Sequence, residues 1–379
     1  MIHSIGVVIA FFGVLYSILA VIFGTGFYRI SFSIFTFSEL YIVFSMLIVF
    51  FKFKDIYIGF VYLKSIVFLL FLSLIYFVYS IFFSHPIYFA VRQFIFVIYV
   101  FMLPVFCYAI SKALSAWGTE GFKRWVWVSL LASAFSLFLV QGNRDGVVLI
   151  AVLVSACYYY SGGVGVFPLF SVLVAGAISG HAGHLVASLA FVGSFYLFKK
   201  PSLFVIVTPF LLAGAVLVIP TLLGSDALTD ANASWRYNYW SDVFELVFSN
   251  GYGFFGEGFG IEYINPDLTH YWDIIGQISN QKYDDVYRSY TTPTHNSFLN
   301  VFYHIGGVGV FLMFYLLFKP LWIAFRRLDG VSVGVFFVIF LHMMSHNAIE
   351  LPYMAIPLFL CWSLLILATR KSDENFSCS

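Results

Sequence analysis

The most specific chemical signal in the sequence is a histidine that opens an apolar helix. Pro293 and Thr294 supply helix-start signals directly before His295 and Asn296, and an apolar run begins at residue 297. An imidazole at a helix mouth can titrate near neutral pH and act as a general base. The alternative is an interfacial histidine that only anchors the helix end, and position alone does not separate the two interpretations.

A second signal is a cation among aromatic side chains. Arg236 is flanked by Trp235, Tyr237, Tyr239 and Trp240. A guanidinium binds phosphate oxygens through two parallel hydrogen bonds, and nearby aromatic faces suit sugar rings, so the pattern predicts a diphosphate clamp. The competing interpretation is a structural cation–π contact with Trp240 one helical turn on.

Further polar side chains lie in or beside apolar runs. Under the topology derived below, Arg92, Arg144, His181 and His184 fall at the same membrane face as His295, and charges at such depth are functional candidates. For Arg144, pairing with the adjacent Asp145 is a strong alternative. Pairing inside the bundle is favoured for Glu39, Lys64, His342, His346 and Glu350. These residues do not form a cluster at metal-ligand spacing, so the sequence predicts no metal site.

These residues must be positioned by membrane helices. The chain has 379 residues, of which 61% are hydrophobic and 10% charged, so a soluble fold is excluded. A helix crosses a bilayer with about 17–25 apolar residues. We predict twelve such helices, at about residues 4–24, 30–51, 56–83, 87–110, 124–141, 145–160, 165–180, 183–198, 202–222, 297–318, 331–347 and 352–369. The sixth to eighth are short, so a total of ten or eleven stays open if one of them is re-entrant.

The basic residues predict the orientation. With a cytoplasmic N-terminus, the inner segments hold twelve Lys and Arg residues, whereas the outer short loops hold only Arg29 and Arg144. Both termini are therefore expected in the cytoplasm. The chain divides into helices one to nine (1–222), an outer cap (223–296), helices ten to twelve (297–369) and a cytoplasmic tail (370–379). The overall net charge of +1 gives no indication of a nucleic-acid partner.

The cap is acidic and aromatic. Residues 223–296 contain three basic and ten acidic side chains, a net charge of −7, together with eight Tyr and three Trp. Disordered segments are poor in aromatic residues, so we expect a folded cap. Residues 233–248 repeat apolar side chains at helical spacing, which predicts an interfacial helix within it.

The motifs of this sequence, in residue type and in their order along the chain, resemble those of the superfamily of O-antigen polymerases and O-antigen ligases. Members of that superfamily are membrane glycosyltransferases that use polyprenyl-diphosphate-linked sugars. The resemblance covers about residues 165–365. It rests on Arg236 with Trp240, a glycine-rich stretch at 251–260, and His295-Asn296 followed by Gly306, Gly307 and Gly309. Where relatives carry a Ser-Arg-Gly-like turn, this chain has His181 after Ser179-Gly180. The second diphosphate-binding cation is thus left open between His181, Arg144 and Arg288, and Arg92 matches a family arginine.

The resemblance implies an all-α, GT-C-like bundle of about twelve transmembrane helices with one large extracytoplasmic loop, in a bacterial inner membrane. The implied reaction transfers a glycan from undecaprenyl diphosphate to an acceptor hydroxyl at the periplasmic face, without a metal or another cofactor. The implied partners are the lipid-linked donor, the glycan acceptor, membrane lipid and a chain-length regulator protein. His295 would be the base and Arg236 the clamp, with substrate contacts from Arg288, Arg92, Arg144, His181, Tyr239, Trp240 and Asn296.

Three functions remain open at this point. A polymerase extends another lipid-linked repeat unit, and a ligase transfers the polysaccharide to lipid A-core. We favour the polymerase because its substrates vary most between strains. A transporter or flippase is less favoured, since transporters place cations and broken helices at the bilayer midplane, and here the cations gather at one face.

Overall fold

A computed structural model describes residues 3–24, 27, 31–32, 35–52, 60–83, 86–137, 146–199, 231–262, 296–346 and 348–370. These residues form an all-helical protein with one short antiparallel strand pair. The elements are α1 (His3–Phe23), β1 (Ser31–Phe32), β2 (Phe35–Thr36), α2 (Phe37–Lys52), α3 (Phe60–Phe82), α4 (Ile87–Phe101), α5 (Leu103–Ser136), α6 (Val147–Tyr160), α7 (Phe167–Ser179), α8 (Ala182–Lys199), α9 (Ala231–Ser249), α10 (Ser297–Arg326), α11 (Gly330–Ser345) and α12 (Pro352–Arg370).

Several helices are long and apolar enough to cross a membrane. Among the described residues these are Ile5–Phe23, Tyr62–Phe82, Ser297–Arg326 and Pro352–Thr369, and a fifth span arises if α4 and α5, bent by 45°, are counted together. Five shorter apolar helices accompany them. The prediction of a helical membrane protein is confirmed at this level.

The helix boundaries differ from the predictions at several places: the predicted helix at 87–110 is divided at Met102, and α10 continues to Arg326 instead of ending near 318. The predicted helix at 30–51 begins only at Phe37, because residues 31–32 and 35–36 form the strand pair. The predicted loop between 110 and 124 is helical except at Gly118, which has φ +56° and ψ −167°. A positive φ at one residue is enough to interrupt a helix, and glycine adopts a positive φ without steric cost. The predicted ninth helix, at 202–222, lies outside the described residues.

The core is centred on α12. In its membrane-length window 83% of the residues are buried, against 22% in α3, so α12 is central and α3 lies at the periphery. Trp362 is fully buried, stacks on Phe359 with ring centroids 5.5 Å apart, and donates its indole N–H to Leu316 O. Phe359 in turn stacks on Tyr99 at 5.7 Å. Lipid tails are as apolar as these rings, so close packing rather than water exclusion stabilises the contacts.

One end of the bundle collects positive charge, and we call it the basic end. Lys319 of α10 lies 5.6 Å from the ring of Tyr62 near the start of α3. Arg327, directly after α10, donates to Thr369 O near the end of α12. The helix ends and turns that meet there carry Lys199, Lys319, Arg326 and Arg327.

The opposite end, which we call the polar end, joins the start of α10 to the connection between α11 and α12. Ser297 Oγ donates to His346 O at 2.9 Å and accepts from Ala348 N at 3.0 Å. α1 and α12 run antiparallel, because Gly13 lies beside Leu360 whereas Val21 lies at the level of Tyr353. The start of α1 and the end of α12 are therefore both at the basic end.

Candidate functional site

Asn296 is the N-cap of α10. Its side-chain Oδ1 accepts hydrogen bonds from Phe298 N at 3.0 Å and from Leu299 N at 3.1 Å, which satisfies two of the free N–H groups at the helix start. The predicted start of this helix at residue 297 is confirmed, whereas the predicted start signals, Pro293 and Thr294, lie outside the described residues. His295 itself lies one residue before, outside the described residues.

Helix α9 packs against the first turns of α10. The two helices share a small apolar core, separate from the main one, made of Tyr239, Val243, Val247, Leu299, Phe302 and Tyr303. Phe244 adds a stacked contact with Phe302 at 5.1 Å between ring centroids. Helix α9, which contains Arg236, and helix α10, which follows His295, are therefore neighbours. Arg236 lies within α9, one turn before Tyr239, and its side chain is not described.

The two aromatic residues predicted to contact sugar differ in exposure. The ring of Tyr239 is fully buried in the α9–α10 core, so in this arrangement it offers no exposed face to a ligand. Trp240 packs on the edge of the same core and is only partly buried. Of the two, Trp240 retains surface that a sugar could contact.

The glycine-rich stretch after α9 fills a break in α10. The helix is interrupted at Gly306, where φ is +70° and ψ is −165°. The loop runs alongside this break, and hydrogen bonds between the two backbones replace those the helix loses. They join Glu257 N to Tyr303 O (2.7 Å), Gly258 N to His304 O (3.1 Å), and Gly307 N to Gly253 O (2.9 Å).

The same loop is held by polar side chains of α3 and α4. Gln93 accepts from Gly260 N at 2.7 Å and donates to Ile261 O at 2.8 Å, and Ser80 Oγ accepts from Phe259 N at 3.1 Å. The sequence analysis missed both residues. Gln93 carried a usable signal, because it is a lone buried amide within a long apolar run.

His304 is a structural partner of this loop. Its Nδ1 lies 2.6 Å from Gly258 O, and its ring, fully buried, stacks on Phe259 with centroids 5.1 Å apart. The histidine therefore joins α10 to the loop and has no exposed surface.

Glu257 lies in the loop beside the break in α10, where its N–H donates to Tyr303 O. It is partly buried, its Oε1 has no hydrogen-bond partner within the described part of the chain, and burial raises the pKa of its carboxyl. The carboxyl consequently holds its proton more tightly than a solvated glutamate does.

Four histidines meet at the polar end, and we call them the histidine cluster: His181, His184, His342 and His346. The ring of His184 lies 4.7 Å from those of His342 and His346, and His181 lies 5.3 Å from His184. His184 and His342 are buried, whereas His181 is exposed, so the cluster leads from the surface into the bundle.

Sequence reasoning missed this grouping, because it joins two helices distant in the chain. Each pair is close in sequence, with a spacing of three residues from His181 to His184 and of four from His342 to His346, but one member of each pair lies outside its helix: His181 directly precedes α8, and His346 follows α11 in an extended conformation. Within the described ranges, no group of three or more His, Cys, Asp or Glu side chains is arranged to hold a metal ion.

The cluster is tied to the start of α10. Ser297 contacts the backbone on both sides of the connection after α11, at His346 O and Ala348 N. One turn further along α10, the Asn300 amide donates to the Glu350 carboxylate. Sequence analysis had favoured an interior pairing for Glu350, and this amide supplies it.

The remaining predicted residues are spread more widely. Arg92 is on α4, exposed, directly before Gln93. His181 belongs to the histidine cluster. Arg144, Arg288 and His295 lie outside the described residues, so their roles stay predictions.

No protein-family model matches the chain, and no curated protein matches it.

Proposed function

We propose that this protein is a membrane glycosyltransferase that transfers a glycan from a polyprenyl diphosphate to an acceptor hydroxyl. The observation that carries the proposal is the packing of α9 on the first turns of α10. It brings the helix that contains Arg236 beside the helix start that follows His295. The resemblance of the sequence to O-antigen polymerases and ligases requires these two residues to act together.

The transfer reaction requires that the protein position the reacting groups and neutralise the charge on the leaving diphosphate. The acceptor oxygen bonds to the anomeric carbon while the bond from that carbon to the diphosphate oxygen breaks, and the electron pair leaves with the diphosphate. His295 takes the acceptor proton, and Arg236 neutralises the charge that develops on the leaving group. Arg288, Arg144, His181 or Arg92 supplies a second cation.

The favoured acceptor is another lipid-linked repeat unit, which makes the protein a repeat-unit polymerase. A ligase that uses lipid A-core as acceptor shares the same chemistry and is the alternative. A transporter is disfavoured by the break at Gly306: transporters leave such backbone open to a substrate near the midplane, whereas here the loop closes it with hydrogen bonds.

In this proposal the bundle has twelve transmembrane helices, and its polar end faces the periplasm. The gathering of Lys199, Lys319, Arg326 and Arg327 at the other end supports that orientation. A single cysteine at Asp267 should react with a membrane-impermeant reagent in intact spheroplasts, and one at Arg326 should not. Reaction at Arg326 would overturn the orientation.

Deletion of the gene tests the function. If the protein is a polymerase, its deletion leaves single repeat units on lipid A-core and no long chains. If it is a ligase, its deletion leaves no repeat units on lipid A-core. Unchanged lipopolysaccharide and capsule profiles, together with no turnover of a lipid-linked repeat unit by the purified protein, would refute both activities.

A further inference from the structure

The glycine-rich segment that follows α9 within the cap, residues 251–260, combines irregular backbone with exposed aromatic side chains. We propose that this segment enters the bilayer at the polar end as a re-entrant loop, with Phe254 and Phe255 among the acyl chains of that leaflet. The partner is membrane lipid, and the inference is independent of the proposed glycosyl transfer.

In the second half of the segment, the backbone N–H groups do not need water. Five successive N–H groups, from residue 256 to residue 260, each have a protein acceptor. The acceptors are Tyr252 O, Tyr303 O, His304 O, Ser80 Oγ and Gln93 Oε1. Irregular backbone is tolerated at membrane depth only where protein satisfies its polar groups in this way. An aqueous loop has no such requirement, because water satisfies its backbone.

Neighbouring helices set the depth of the segment. It contacts Ser80, which is two residues before α3 ends at Phe82, and α3 has the length and composition of a membrane span. It contacts Gln93, six residues or about 9 Å inside α4. It fills the break at Gly306, nine residues or about 13 Å inside α10. All three contacts put the segment below the helix ends at the polar end.

The tip of the segment carries the side chains that lipid would cover. The side chain of Phe254 is 74% exposed, that of Phe255 is 59% exposed, and that of the preceding Tyr252 is 49% exposed. On the adjoining α9, Phe244 and Phe248 continue this surface, with rings 4.6 Å apart. Exposed large apolar patches mark interaction sites, and aromatic residues are enriched at the membrane interface.

Site-directed spin labelling tests the proposal. Cys378 is replaced by Ser, the buried Cys107, Cys157 and Cys361 are retained, and the protein without an added cysteine must take up no nitroxide. The label is then placed at Phe254→Cys in phosphatidylcholine vesicles, and its collisions with oxygen and with a neutral, water-soluble nickel complex are measured. Oxygen partitions into lipid and the nickel complex into water.

Two matched positions calibrate the result. Phe71→Cys reports from an exposed position in the middle of α3, and Glu245→Cys from an exposed position on α9. We expect the oxygen-to-nickel ratio at Phe254 to approach that at Phe71 and to exceed that at Glu245 several-fold. A ratio at Phe254 equal to that at Glu245 would overturn the proposal. Should Phe254→Cys aggregate, Phe255→Cys serves with the same expected and contrary results.

Discussion

Gly256 and Gly306 face each other backbone to backbone. A Cβ at Gly256 would lie 2.5 Å from Gly306 N, and a Cβ at Gly306 would lie 2.4 Å from Phe254 O. Both residues have φ of +70°, which L side chains rarely adopt. The loop and the broken helix can approach this closely only because neither residue has a side chain.

Alanine at either position should therefore disrupt the docking of the loop. Gly256→Ala and Gly306→Ala combine backbone clashes with a positive φ, and backbone strain of this kind alone costs about 1–3 kcal/mol. We expect each variant to melt at a clearly lower temperature in detergent, measured by tryptophan fluorescence.

Two controls separate clash from strain in this experiment. Gly251→Ala has φ +78° but no atom within 4 Å of the new Cβ, so it should show only the cost of strain. Gly193→Ala, in α8 and also without close neighbours, should be neutral or stabilising. Equal melting temperatures for Gly256→Ala and Gly193→Ala would contradict the close approach.

The sequence predicted most helices because apolar length alone specifies a membrane segment. It also located the start of α10, because the apolar run from residue 297 is a local property, but it did not identify Asn296 as the N-cap. It did not predict that the 251–260 glycines would pack into α10, or that His181 and His346 would meet. Those contacts join segments far apart in the chain, and one sequence carries no direct record of such pairings.

The role of Asn296 as the N-cap of α10 can be tested separately from substrate binding. Asn296→Asp keeps an acceptor for Phe298 N and Leu299 N, so its thermal stability should match that of the wild type. Asn296→Ala loses the cap and should cost about 0.5–2 kcal/mol. If the side chain also contacts substrate, Asn296→Asp should raise KM although stability is retained. Unchanged KM in that variant would assign Asn296 to capping alone.

Glu257 should make stability depend on pH. Because burial raises the pKa of its carboxyl, the folded protein binds this proton more tightly than the unfolded chain, where the pKa is about 4.3. The stabilising contribution is complete below that value and is lost as the pH rises through the raised pKa. Glu257→Gln should therefore melt like the wild type near pH ~4 and at a higher temperature than the wild type near pH ~8.

A matched variant controls for the removal of one negative charge. Glu245→Gln changes the same residue type at an exposed position on α9. The same divergence in Glu245→Gln would contradict burial as the cause, as would parallel melting curves for Glu257→Gln and the wild type.

The clamp hypothesis predicts that Arg236 needs its guanidinium. Arg236→Lys keeps the charge but loses the two parallel hydrogen bonds, so both Arg236→Lys and Arg236→Ala should lose most of their activity. Arg124→Lys, at an exposed position on α5 without a role in the proposed site, is the matched control and should keep its activity. Normal chain elongation by well-expressed Arg236→Ala protein would leave the residue a structural role.

His295 is predicted to be the general base. Removal of such a base typically lowers turnover about 10²–10⁴-fold. His295→Ala should accordingly abolish elongation while its melting temperature and its binding of the lipid-linked donor stay unchanged, since the α10 cap is supplied by Asn296. Turnover by the wild type should rise through pH ~6–7, where an imidazole loses its proton and becomes able to accept one from the acceptor hydroxyl. His346→Ala removes a partly buried histidine of the histidine cluster, one without a role in the proposed transfer, and should keep that rise in activity. Near-native turnover in purified His295→Ala protein would exclude His295 as the base and direct attention to Glu257, Asp284 or Glu350.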